Sequence, residues 1–156
     1  MKIIRAILIM NVAVAVLALR GYTQTISPAI VECSAKKCNG EFTITNNGIL
    51  PMTVTVEPHS FALGSDGGTI LRTLDPTVDL QLDEMAARLG PQAAHTFGYK
   101  LRCKQMPCLV NLNVALSGNH TDEGIAVRII LPHVIYGCDK AKDCRAGVRK
   151  AAGLAR

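Results

Sequence analysis

The sequence predicts an all-β protein, an antiparallel β-sandwich of about seven to eight short strands. Three observations carry that prediction. Runs of alternating or β-branched apolar residues recur at spacings of about 8 to 15 residues, with turn-forming residues between them. Long helical patterns are absent from the same stretches. The third is residues 41–57, EFTITNNGILPMTVTVE, where the alternation is clearest. Phe42, Ile44, Met52, Val54 and Val56 would share one face, and Thr43, Thr45, Thr53 and Thr55 the other. Asn46, Asn47 and Gly48 tolerate positive φ and Pro51 punctuates the entry to the second run, so the chain should reverse between two strands. Such a hairpin-like pair has one apolar face that needs another layer.

The 156-residue chain begins with Met1, Lys2, Ile3, Ile4 and Arg5, followed by an uncharged, mostly apolar run at 6–19 broken only by Asn11. That run is short for a bilayer span of about 20 residues and fits the core of a secretory signal. Residues 1–23 are therefore read as a signal peptide, with an uncleaved membrane anchor as the alternative. The protein is expected in the periplasm or secreted.

Residues 24–138 are expected to form one domain. TISPAIVE at 25–32 reads as a first strand, placed at an edge by Pro28. Residues 33–40 are polar and read as a loop. After the pair at 41–57, residues 58–68 are rich in turn formers, with Ser65, Asp66, Gly67 and Gly68 the strongest loop signal. A short edge strand at 69–74 and another carried by Val78, Leu80 and Leu82 follow. Residues 83–90, DEMAARLG, have the form of a helical turn, with Asp first, helix formers inside and Gly last. Strands are expected at 94–101, at 109–116 and at 125–136, the last interrupted by Pro132. Residues 139–156 form a basic tail, read either as a solvated terminus or as a short helix that touches anionic lipid or an acidic partner.

The formal charge of +5 invites a nucleic-acid function, but its location argues against one. Residues 1–23 hold three basic and no acidic groups, and 139–156 hold six basic and two acidic, leaving eight basic and ten acidic in 24–138. The body is not basic, so no nucleic-acid partner is expected. Membrane contact would come only through the leader or the tail.

Six cysteines fall in three close couples: Cys33 and Cys38, Cys103 and Cys108, Cys138 and Cys144. In an exported chain they are read as disulfides, each local bridge worth about 2 kcal/mol through loop closure. If successive strands run up and down, all three couples fall at one pole, so cross-pairing stays open. The couples are separated by four, four and five residues rather than the two of a zinc knuckle, so no metal is expected. His59, His95, His120 and His133 lie far apart and read as loop or edge residues. No nucleophile elbow, phosphate loop or paired-carboxylate pattern is present. Neither enzymatic activity nor a cofactor is expected.

The order of these features resembles the N-terminal immunoglobulin-like domain of the periplasmic pilus-assembly chaperones. TISPAIVE followed by EFTITNNGILPMTVTVE resembles that domain's Ser-Pro strand and the Thr- and Asn-rich strand after it. Residues 87–92, ARLGPQ, resemble its Leu-x-Pro-Gly turn, and 126–136, AVRIILPHVIY, its closing alternating strand. The resemblance implies an immunoglobulin-like sandwich that lends a strand to a protein partner, a pilus or secreted subunit, by β-strand addition. Carried over, the binding residues are Ile125, Val127, Ile129 and Leu131, with Arg128 the only basic group of the last strand. A core face for the same residues is the alternative, and with it a structural or adhesive module. The family's second basic anchor, an Arg near the first strand, has no counterpart here. Its second domain has none in the 20 residues after Tyr136.

Overall fold

A computed structural model describes residues 23–33, 37–118 and 128–138, together with Cys144, Ala146 and Val148. The strands are β1 (Thr25–Ser27), β2 (Ile30–Cys33), β3 (Lys37–Thr45), β4 (Met52–Leu63), β5 (Thr69–Arg72), β6 (Val78–Leu82), β7 (Ala86–Leu89), β8 (Ala94–Cys103), β9 (Cys108–Gly118) and β10 (Arg128–Gly137). They form a two-layer sandwich of the immunoglobulin-like kind. One sheet has the order β1-β3-β8-β6; the other has β2-β10-β9-β4-β5, with β7 also on β4. The leader at 1–22, and Ile125 and Val127 of the expected last strand, lie outside the described residues.

The pair at 41–57 reverses as expected but is not a hairpin. β3 joins β1 and β8, whereas β4 joins β9, β5 and β7, so the two strands lie in opposite sheets. Their apolar faces meet across the interior. Phe42 and Ile44 from one layer and Met52, Val54 and Val56 from the other are buried in one cluster with Phe97, Leu112, Val114 and Ile135. The second layer that the alternation demanded is thus supplied partly by the unit itself.

Other departures share a cause: pairing partners decided what local sequence left open. TISPAIVE divides at Pro28 and Ala29. β1 pairs antiparallel with β3, and β2 pairs parallel with β10 in the other sheet. The expected loop at 33–40 gives way to strand at Lys37, which pairs with Arg102. β4 runs through Pro58 to Leu63 instead of ending in a turn. The Val56 N–H points to the Met85 carbonyl, 2.8 Å away, so the nitrogen of Pro58, two residues on, lies on the same side, between the segments that β7 and β5 cover. No ladder bond to β9 is lost there. The helical turn expected at 83–90 is β7, which pairs with Met52–Thr55 and buries Leu89. Helix propensity over one turn is weak beside an available strand edge and a core position.

Each cysteine couple closes locally, as Cys33–Cys38, Cys103–Cys108 and Cys138–Cys144. They do share a pole: Gly137 is paired with both Cys33 and Cys108, and the Cys138 N–H donates to the Cys33 carbonyl at 3.0 Å. The tail is not simply solvated at its described positions. Cys144 is buried and Val148 half-buried against Phe61 and Tyr136 on the outer face of the second sheet.

Candidate protein-binding edge

β10 is bordered by β9 over its full length, from Arg128 opposite Ser117 to Gly137 opposite Cys108. On its other side β2 covers only Val134–Gly137. Among the described residues no strand pairs with the edge from Arg128 to Pro132. The direction of that edge follows from one bond. The Val134 N–H donates to the Ala29 carbonyl at 2.8 Å, so N–H and C=O groups at every second residue before it point the same way. Arg128 and Ile130 therefore present both backbone groups outward from the sheet edge, and Pro132 presents its carbonyl. The N–H that Pro132 lacks is on the open side, which is why proline does not interrupt β10.

Side chains alternate about this edge. Ile129 and Leu131 turn inward and are half-buried against the core. Arg128 and Ile130 turn outward. The Arg128 guanidinium donates to Glu57 Oε1 at 2.8 Å, diagonally across β9, and both side chains remain about half exposed. Ile130 is 53% exposed. The structure thus brings Arg128, Ile129 and Leu131 together on one open segment.

Two residues absent from the sequence-based set complete the site. Ile130 belongs to it through its backbone and its exposed side chain. His133 is neither a loop nor an edge histidine but fully buried in the core. It is in phase with Ile129, Leu131 and Ile135, and that alternation is the signal that could have placed it inward. Its ring stacks on Phe42 across the sandwich at 4.7 Å, beside Tyr99. Because a carbonyl can only accept, the 2.7 Å contact from Nδ1 to the Pro28 oxygen fixes the proton on Nδ1. Nε2 then faces the Tyr99 hydroxyl at 3.4 Å. Burial holds the imidazole below the usual histidine range, against the opposing effect of the Pro28 bond, and burial raises the Tyr99 hydroxyl above its ordinary value. The interior next to the edge is therefore neutral.

No family model matches the sequence, and no curated protein matches it. Solved structures do match the fold. A chain of the Salmonella enterica SafA pilin–SafB chaperone complex aligns with a TM-score of 0.56 at 11% identity, over 76% of this chain and 55% of that one. A chain of the CsuC–CsuE chaperone–tip adhesion subunit pre-assembly complex from Acinetobacter baumannii aligns at 0.53 and 12%, over 80% of this chain and 65% of that one. SSP-19, an MSP-domain protein like family member in Caenorhabditis elegans, aligns at 0.52 and 9%, over 73% of this chain and 98% of that one. The neighbours are mostly periplasmic pilus chaperones, so the resemblance read from the sequence holds for the fold. The chain spans little more than half the length of the chaperone-complex chain it matches best in TM-score among these three.

Proposed function

We propose that the protein is an exported, pilus-chaperone-like binding module that takes an extended segment of a secreted or pilus subunit onto the open edge of β10. One observation carries this: from Arg128 to Pro132 the strand offers N–H and C=O groups to no described partner, while the remainder of the same edge is already occupied by β2. An added strand would gain backbone hydrogen bonds there, and its alternate side chains would pack beside Ile129 and Leu131. Arg128 lies at the end of the segment, where it could exchange Glu57 for an acidic group of the partner. The chaperone-like fold is consistent with this role, and the partners named in the similar complexes are pilin and adhesin subunits.

A structural or adhesive module without chaperone activity is favoured by a different observation, the partial burial of Ile129 and Leu131 against the protein's own core. One experiment separates the two. A pilus subunit is produced with and without the protein in the periplasm, and its soluble fraction is measured. The subunit should be soluble only with the wild-type protein. Ile130→Pro removes one open-edge N–H without touching the β9 ladder and should abolish the effect, as should Ile129→Lys. If the subunit is equally insoluble with and without the protein, the chaperone role is wrong and the structural one stands.

A further inference from the structure

Ile49 and Leu50 are neighbours in the short crossover from β3 to β4, and at 67% and 57% exposure they are two of the three most exposed large apolar side chains among the described residues. The backbone beneath them is held. Asn46 Nδ2 donates to the Leu50 carbonyl at 2.8 Å, and Asn46 Oδ1 accepts from the Gly48 N–H at 3.0 Å. Gln92 Nε2 donates to the carbonyls of Asn47 and Gly48 at 2.6 and 3.1 Å. Two adjacent aliphatic side chains kept in water by a braced turn form a contact surface rather than a slack loop.

What this tip meets follows from where the chain enters the domain. Asn47 Nδ2 donates to the Thr23 carbonyl, and Gln24 Nε2 lies beside Gly48. The first described residue is therefore tied to the tip. Leu19, the last residue of the apolar run read as the leader, stands four positions before Thr23, a reach of at most about 14 Å. While the leader lies in a bilayer, Ile49 and Leu50 are held close to the lipid, and a tether of that length favours even a weak contact through its effective concentration. The opposite pole is excluded from the same surface: β3 spans nine residues, roughly 26 Å, from Thr45 beside β1 to Lys37 beside the cysteine couples and the tail.

We propose that Ile49 and Leu50 form a foot that enters the interface of the bilayer holding the leader. The contact is apolar, with the aliphatic side chains among the upper acyl carbons, and it needs no anionic lipid. Arg128 is level with Thr53 through Ser117, so docking sets the open edge of β10 on the membrane side of the domain. The inference does not rest on strand addition, because neither Ile49 nor Leu50 belongs to that edge.

The test places the full chain, leader included, in phosphatidylcholine nanodiscs doped with spin-labelled lipid and measures line broadening by NMR. The methyl signals of Ile49 and Leu50 should broaden strongly and those of Ile70 hardly at all. Ile70 is almost as exposed, at 56%, but pairs with Ala62, ten residues along β4 from Met52. Because the leader alone brings the tip near lipid, the deciding variant is the double substitution Ile49→Ser with Leu50→Ser, leader intact. Both side chains are exposed, so the fold should persist, which the urea midpoint checks. Docking should weaken about tenfold or more, each buried methylene being worth about fourfold, and the amides of Gly48 and Gln92 should lose most of their broadening. The double variant should still keep a pilus subunit soluble, and Ile130→Pro should still dock, which separates this contact from the β10 edge. The proposal is overturned if Gly48 and Gln92 broaden equally in wild type and double variant, which would mean a tether without contact. It is also overturned if the Ile49 and Leu50 methyls respond only in discs holding two chains, or only when the pilus subunit is added, since a second copy or the subunit would then be the occupant.

Discussion

His133 Nδ1 donates to the Pro28 carbonyl at 2.7 Å, tying the strand that has the open edge to the point where the chain leaves one sheet for the other. The bond joins residues 105 apart in sequence. It holds β2 where it stops, and where β2 stops determines how much of β10 stays open. Replacing the ring should therefore act on stability and on the edge together. His133→Leu loses a buried hydrogen bond and the stack on Phe42, and is expected to cost about 1–3 kcal/mol in urea unfolding. Amide exchange should speed up at Val134, whose N–H bonds Ala29, more than at residues of β9. Unchanged exchange at Val134 would mean that β2 is held by its ladder alone.

The same histidine sets a direction for pH dependence. Burial lowers its proton affinity in the folded state, from a value of 6.5 that the unfolded chain retains. Below that pH the unfolded chain therefore holds a proton that the folded one refuses, and stability falls as pH falls through this range, by up to about 1.4 kcal/mol per pH unit until the folded group also titrates. Above about pH 7 the contribution is complete. The urea midpoint should be lower at pH 5.5 than at pH 7.5, and the difference should shrink in His133→Leu. An equal drop in both proteins would assign the effect to other groups.

Gly40 and Tyr99 face each other across β3 and β8, and the Tyr99 ring lies over the glycine. A Cβ at position 40 would collide with Tyr99 Oη and the adjoining ring carbon. Tyr99 is buried beside His133 and cannot swing aside cheaply. Gly40→Ala should cost about 1–3 kcal/mol by overpacking. Adding Tyr99→Leu should recover part of that loss relative to Tyr99→Leu alone, a coupling that a double-mutant cycle in urea would measure.

The ion pair between Glu57 and Arg128 should behave differently. Both side chains are about half exposed, so solvent and salt screen the 2.8 Å contact. Glu57→Gln is expected to change stability by less than about 1 kcal/mol. Its value lies in separating stability from binding: if Arg128 serves the partner, Glu57→Gln should strengthen capture of an acidic segment while the urea midpoint barely moves.

Much of the sandwich was legible because its central strands bury alternate residues. Phe97, Tyr99 and Leu101 on β8, and Val110, Leu112, Val114 and Leu116 on β9, show the period of two directly. What stayed illegible depended on partners distant in sequence. Nothing local in TISPAIVE says that its halves pair with different sheets, and nothing in DEMAARLG says that Met52–Thr55 offers an edge. Pro58 and Pro132 looked like breaks because the sequence does not reveal on which side of a strand a missing N–H falls. The candidate site divided in the same way. Alternation set the positions of Ile129 and Leu131, but the openness of the edge is a fact about β2, a strand from the other end of the chain.

Asn46, within the stretch where the alternation was clearest, supports the most demanding prediction. It is fully buried, yet its amide is satisfied: Nδ2 donates to the carbonyls of Leu50 at 2.8 Å and Gly90 at 2.9 Å, and Oδ1 accepts from the Gly48 N–H at 3.0 Å. Its backbone N–H donates to the Ala93 carbonyl at 2.9 Å. One side chain thus closes the crossover from β3 to β4 and fastens it to the turn between β7 and β8. Asn46→Leu matches the volume but leaves two carbonyls and an N–H without this partner, and should cost about 3 kcal/mol or more. Asn46→Asp keeps the acceptor for Gly48 and replaces both donors by a buried negative charge facing two carbonyl oxygens, so it should be at least as damaging at pH 7. Protonation would ease that repulsion, so the Asp variant should recover part of its deficit relative to Asn46→Leu as pH falls from 7 to 5. Urea unfolding of both variants across that range checks the order, and a larger loss for Asn46→Leu than for Asn46→Asp at pH 7 would show that the Gly48 bond outweighs the two carbonyls.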